Sequence, residues 1–131
     1  MTMLDKKSET EAKQYSPLTL AYLGDAVYEI YVRSKIVLDF NMPKNKLHNA
    51  AVEKVKAPYQ ALVAEKIEPL LNEEEFDIYK RGRNASTTKV PKGANSAEYH
   101  KATALETLLG YLYITGNEKR ISEIMAKVWE E

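Results

Sequence analysis

Residues 16–34, SPLTLAYLGDAVYEIYVRS, decide the fold. Ser16 is a cap residue and Pro17 suits a first helical turn, where its missing N–H costs nothing. Leu20, Leu23, Val27, Ile30, Tyr31 and Ser34 then follow helical spacing. The opposite side, with Leu18, Ala21, Tyr22 and Tyr28, is apolar too. A helix apolar nearly all round belongs in a core, yet Asp25 stands in the middle of this one, and an ionised, unpaired carboxylate is costly there.

Before this stretch, residues 1–15 hold Asp5, Lys6, Lys7, Glu9, Glu11 and Lys13 and little to bury, so they read as a disordered polar lead-in to a domain spanning 16–131. After it, Asn41, Met42 and Pro43 read as a connection. A second helix is predicted from about Asn45 to Val55, with Leu47, Ala50, Ala51 and Val55 inward. Pro58 interrupts it, and a third helix carries Ala61, Leu62, Ala64 and Ile67 as far as Pro69. Asn72 with Glu73, Glu74 and Glu75 opens a fourth helix, expected to end at Gly82. From Gly82 to about Ser96 the residues are those of a long loop. A further helix holds Ala102, Leu105, Leu108, Leu109 and Leu112. Asn117 caps a last one carrying Ile121, Ile124, Met125, Val128 and Trp129. No strand alternation or repeat is present, so the expected fold class is all-α.

The chain has 131 residues, enough for one core of ordinary size. It has no cysteine, which excludes a disulfide framework, a zinc knuckle and a thiol nucleophile and fits a reducing cytoplasm. Its apolar runs are too short to span a bilayer and its start is unlike a signal peptide, so no membrane association is expected. Nineteen basic residues cancel nineteen acidic ones. The cancellation is regional: residues 68–79 have a net charge of −5, while residues 80–101, with Lys80, Arg81, Arg83, Lys89, Lys92 and Lys101 against Glu98, reach +5. Either those bases are solvated or they meet phosphates. Lys44, Lys46, His48, Lys54 and Lys56 form a milder basic set.

Glu106, in Leu105-Glu106-Thr107-Leu108-Leu109-Gly110, repeats the situation of Asp25. Taken singly, Asp25 could pair with a buried arginine or tyrosine hydroxyl, and Glu106 could face solvent. Taken together, Gly24 and Gly110 would let their helices approach closely and the two acids converge on one divalent cation. A site of few oxygen ligands suits magnesium or manganese, and beside a basic loop it makes phosphodiester cleavage chemically sensible. Glu29, one turn after Asp25, is either a further ligand or the ion-pair partner of Arg33. His48 and His100 suit phosphate contact better than general-base work.

These residues resemble the ribonuclease III family. Tyr22 to Val27 is similar to the family's first signature helix, whose aspartate binds magnesium, and Leu105 to Gly110 to its second, whose glutamate is the other ligand. From about Leu18 to Trp129 the chain resembles the short bacterial Mini-ribonuclease III branch, which lacks a double-stranded RNA-binding domain. Lys80 to Ala85 and Tyr99 to Thr103 carry that likeness, and Leu47 and His48 suit it. Where the larger enzymes have further acids, this chain has Leu18, Ala21 and Thr103, so the implied site is leaner, with Thr103 and Glu29 beside it. The resemblance implies a magnesium-dependent endonuclease, with manganese a possible substitute, that leaves 5′-phosphate and 3′-hydroxyl ends on double-stranded RNA. It further implies a two-fold homodimer and a substrate in the 23S ribosomal RNA precursor, with a ribosomal protein possible on it. Asp25 and Glu106 would be catalytic, and Lys46, His48, Arg81, Arg83, Asn84, Lys89, Lys92, His100 and Lys101 would hold RNA.

Overall fold

The computed structural model describes residues 5–85, 92–93 and 95–130. Regular structure among them is entirely helical: α1 (Glu9–Lys13), α2 (Pro17–Asp39), α3 (Lys44–Val55), α4 (Ala57–Ile67), α5 (Glu73–Ala85), α6 (Ser96–Ile114) and α7 (Glu118–Met125). Single 3-10 turns follow α4 at Glu68–Leu70 and α7 at Ala126–Trp129. No helix described is long and apolar enough to cross a membrane.

The centre of the fold is α6. From Ala102 to Leu112 every residue except Glu106 is buried, which is the pattern of a helix enclosed on all sides. α2, α4 and α5 pack around it. Its ends are well defined: the Asn95 side chain accepts from the Glu98 N–H, and Gly116, at φ +77°, ends it in the left-handed conformation that glycine adopts without a Cβ clash. Asn72 and Glu75 close a reciprocal cap on α5. Glu75, 5% exposed, also takes two hydrogen bonds from Arg120 at 2.8 and 2.9 Å, and Arg120 reaches the Leu70 carbonyl at 2.8 Å, tying α7 to the start of α5.

Four expectations change. The lead-in is not all frayed. Ser8 and Glu11 form a capping box on α1, Ala12 is fully buried, and Arg81 donates to the carbonyls of Lys13 (3.0 Å) and Tyr15 (3.5 Å), fastening the segment to α5. α5 does not end at Gly82 but runs to Ala85. Gly82 is there because a Cβ would lie 2.3 Å from the Thr107 hydroxyl oxygen, so the glycine serves helix approach rather than termination. α2 is not covered all round: Leu20, Gly24, Val27 and Tyr28 are buried, while Leu18, Tyr22, Ile30 and Val37 lie 47–86% exposed along an open face. α3 buries only Ala51, with Ala50 exposed and Leu47 and Val55 half-buried.

Candidate active site

At the crossing of α2 and α6 the two backbones touch. A Cβ on Gly24 would lie 1.7 Å from the Glu106 carbonyl oxygen, and one on Gly110 would lie 1.9 Å from that of Leu20. Only glycine permits this approach. Asp25 follows Gly24 directly, and Glu106 lies one turn before Gly110 on the enclosed helix, so the contact that joins the helices also joins the two acids.

Their carboxyl groups hydrogen-bond each other. Asp25 is exposed and Glu106 partly buried, which gives the pair one side toward solvent. Burial, then the hydrogen bond and the charge of Asp25, push the Glu106 carboxyl up to about 8. The raised value favours a proton on Glu106 near neutral pH. The buried Gln60 amide, 3% exposed, lies near the same carboxyl and favours its ionised form. Two hard oxygen groups this close are suited to a divalent cation, which displaces protons from its ligands. Among the described residues no cluster of three or more acids or histidines accompanies them, so most coordination positions of such an ion would fall to water and phosphate oxygens.

The chain matches the description of the ribonuclease III domain over residues 18–117, spanning both helices of the pair. The chain belongs to the ribonuclease III family. Within that family it is similar to the Mini-ribonuclease 3 of Thermoanaerobacter sp. (strain X514), 49% identical over 110 residues, covering 84% of this chain and 78% of that protein. It is 38% identical to the Mini-ribonuclease 3 of Staphylococcus aureus (strain NCTC 8325 / PS 47) over 127 residues, 95% of each chain. A Fusobacterium nucleatum protein solved by X-ray crystallography shares the fold with a TM-score of 0.81 and 35% identity, over 93% of this chain and 96% of that one.

The other residues singled out in the sequence divide by environment. Glu29 accepts from Arg33 at 2.6 Å, the ordinary helix pair among its two readings, and both line a groove of about 310 Å³ between α2 and α3 with His48 and Lys44. Thr103 is buried and donates its hydroxyl proton to the Tyr99 carbonyl at 2.9 Å. Lys46 and His48 are exposed on α3, and Asn84 is exposed near the end of α5. Arg83 lies 3.8 Å from Glu68, and Lys101 pairs with Glu65. His100 packs edge-on against the Tyr99 ring. Lys92 is exposed, while Lys89 falls outside the described residues. Lys54 is turned inward, 4.3 Å above the Tyr59 ring and 5.3 Å above that of Trp129. Sequence reasoning passed over Gln60, whose one signal is a polar residue entering the apolar run of α4.

Proposed function

We propose that this member of the ribonuclease III family is a magnesium-dependent endoribonuclease that cuts double-stranded RNA as a homodimer, leaving 5′-phosphate and 3′-hydroxyl ends. Its family makes it a metal-dependent hydrolase of RNA. The observation that carries the reading is the contact between the Asp25 and Glu106 carboxyls at the glycine crossing. When bound, magnesium supplies Lewis-acid stabilisation of the charge that builds on the scissile phosphate. Asp25 and Glu106 would hold it. Asp25, on the exposed side, faces the incoming backbone, and Glu106, anchored in the enclosed helix, fixes where the cut falls.

One pair of acids serves one strand, so cutting both strands calls for two copies related by a two-fold axis. The open apolar face of α2, with Tyr22 86% and Ile30 57% exposed, supports a self-complementary interface beside the acids. Duplex RNA is held by shape and phosphate contacts. Lys46 and His48 on α3 and Asn84, Lys92, His100 and Lys101 around the far end of α5 and the start of α6 are the groups placed to make them. Arg83 and Lys101 exchange a carboxylate for a phosphate, whereas Arg81 stays committed to the Lys13 and Tyr15 carbonyls. The natural substrate is the paired ends of the 23S ribosomal RNA precursor, on which a ribosomal protein would be a neighbour.

The test mixes purified protein, duplex RNA and magnesium, and repeats the assay with Asp25→Asn and Glu106→Gln. Cleavage by the unmodified chain and binding without cleavage by both variants is the expected result. Binding without cleavage by the unmodified chain would make it a non-catalytic RNA-binding module.

A further inference from the structure

α3 carries Lys46 and His48, yet little of it is fixed to the body of the protein. It buries only Ala51, starts at Pro43 without a side-chain cap, and is bordered along α2 by the groove of about 310 Å³. Lys56 alone, extended at φ −72° and ψ 150°, links it to α4. The last carbonyls of a helix have no partner within it, and here two of them are met by side chains from the core. The Tyr28 hydroxyl on α2, fully buried, donates to the Lys54 carbonyl at 2.6 Å, and the buried Gln60 amide on α4 donates to that of Val55 at 3.2 Å.

Lys54 is gripped at its other end as well. Its ammonium donates to the Tyr59 hydroxyl at 2.7 Å and lies over the Tyr59 and Trp129 rings. Tyr59 gives its own proton to the Val128 carbonyl, which leaves its hydroxyl oxygen to accept from Lys54. Lys56, two residues on, instead pairs with Glu53 at 2.9 Å on the surface. A half-buried cation held by rings and a neutral hydroxyl is screened by salt less than an exposed ion pair. One residue thus ties α3 to α2 through its backbone and to α4 and the Val128–Trp129 turn through its side chain. His48 lies about 12 Å up the helix from the joint at Lys56, so a tilt of about 10° would displace it by about 2 Å, enough to break a phosphate contact.

We propose that Lys54 is a positioning residue for RNA binding, the pin that holds α3 at the angle at which Lys46 and His48 meet the duplex. This rests on the reading of Lys46 and His48 as RNA contacts.

The experiment measures duplex-RNA cleavage at saturating magnesium, and the thermal midpoint, for the unmodified chain, Lys54→Met, the double variant Lys46→Ala with His48→Ala, and all three changes together. Lys54→Met keeps an unbranched stem and removes the charge. Tyr59→Phe, which keeps the ring and removes the hydroxyl, stands in if that variant does not fold. A folded Lys54→Met should raise KM about 5-fold or more while kcat stays within a few-fold of the unmodified protein. Added to the double variant, the same change should alter KM by less than about 2-fold, because the contacts it positions are already gone. An unchanged KM in a folded variant would overturn the proposal and leave Lys54 a residue of stability alone. An equal rise in KM in both backgrounds would overturn it too, by making Lys54 a direct RNA contact. If the double variant binds duplex as the unmodified chain does, the reading of Lys46 and His48 fails, and this inference falls with it; that outcome is read without any Lys54 variant.

Discussion

Replacing Gly24 with alanine tests whether one contact sets both the fold and the active site. The new Cβ would sit 1.7 Å from the Glu106 carbonyl oxygen, whereas ordinary contact begins at 3.4 Å, and that oxygen belongs to a helix enclosed by α2, α4 and α5. Side-chain rotation offers no relief, so α2 and α6 must part locally by roughly 1.7 Å. Overpacking of this severity costs about 3 kcal/mol, or about 10 °C in thermal midpoint for a chain of this length. The same displacement separates Asp25 from Glu106 by more than 1 Å, which lowers a reaction rate by about 100-fold or more. Circular dichroism melts give the first quantity. Initial rates of duplex cleavage with saturating magnesium, measured at 20 °C where the variant is folded, give the second. Ile124→Ala, deep in the core on α7, is the control, with a stability loss of about 2–5 kcal/mol and a rate near that of the unmodified protein. Should Gly24→Ala melt and cut like the unmodified chain, the helices do not meet through their backbones. If it lost stability alone, the crossing would not set the spacing of the acids.

In the absence of divalent metal, Glu106 should make the fold pH-sensitive. Its native carboxyl is raised to about 8 from an ordinary value of 4.5, so its contribution is full below the ordinary value and is lost as the pH rises through 8. Urea midpoints at pH 5, 7 and 9 should fall in that order, and Glu106→Gln should flatten the trend; an equally steep trend in the variant would assign it to another group. Arg83→Ala and Lys101→Ala should each reduce the salt slope of duplex binding by about 1 with little change in midpoint, since their pairs with Glu68 and Glu65 are partly exposed; an unchanged slope would remove them from the RNA surface. Arg120→Ala removes two of the hydrogen bonds to the buried Glu75 carboxylate and should cost about 3–5 kcal/mol, recovered in part by adding Glu75→Gln. A urea midpoint within error of the unmodified protein would refute that.

The elements legible in the sequence are those that announce themselves locally. Ser16 and Pro17 mark the start of α2, Asn72 that of α5 and Asn117 that of α7, because caps act within one turn. The acid pair was legible for a related reason: a carboxylate in an apolar helix beside a glycine is a local contradiction, and two of them suggest a common resolution. Properties that depend on a distant partner were not legible. Gly82 looks like a helix end until Thr107 is seen against it. Arg81 reads as a loop base until the Lys13 and Tyr15 carbonyls come within its reach. Tyr22 and Ile30 read as core because periodicity records an apolar face without saying which molecule covers it. Gln60 is an unremarkable helix residue in one dimension and comes near Glu106 only because α4 packs on α6.

Between Ala102 and Leu112, Glu106 is the single outlet of α6. Breaking the hydrogen bonds of a helix enclosed on all sides means disassembling its surroundings, so the amides from Leu105 to Leu109 should exchange with solvent deuterium only when the whole domain unfolds. One carboxylate of the pair is thereby mounted on the most enclosed helix of the molecule. Adjustment between turnovers is left to the more lightly packed α3 and to the open face of α2. A redesign that adds a third acid beside the pair would have to take it from those elements, since every neighbouring position on α6 is already inside the core.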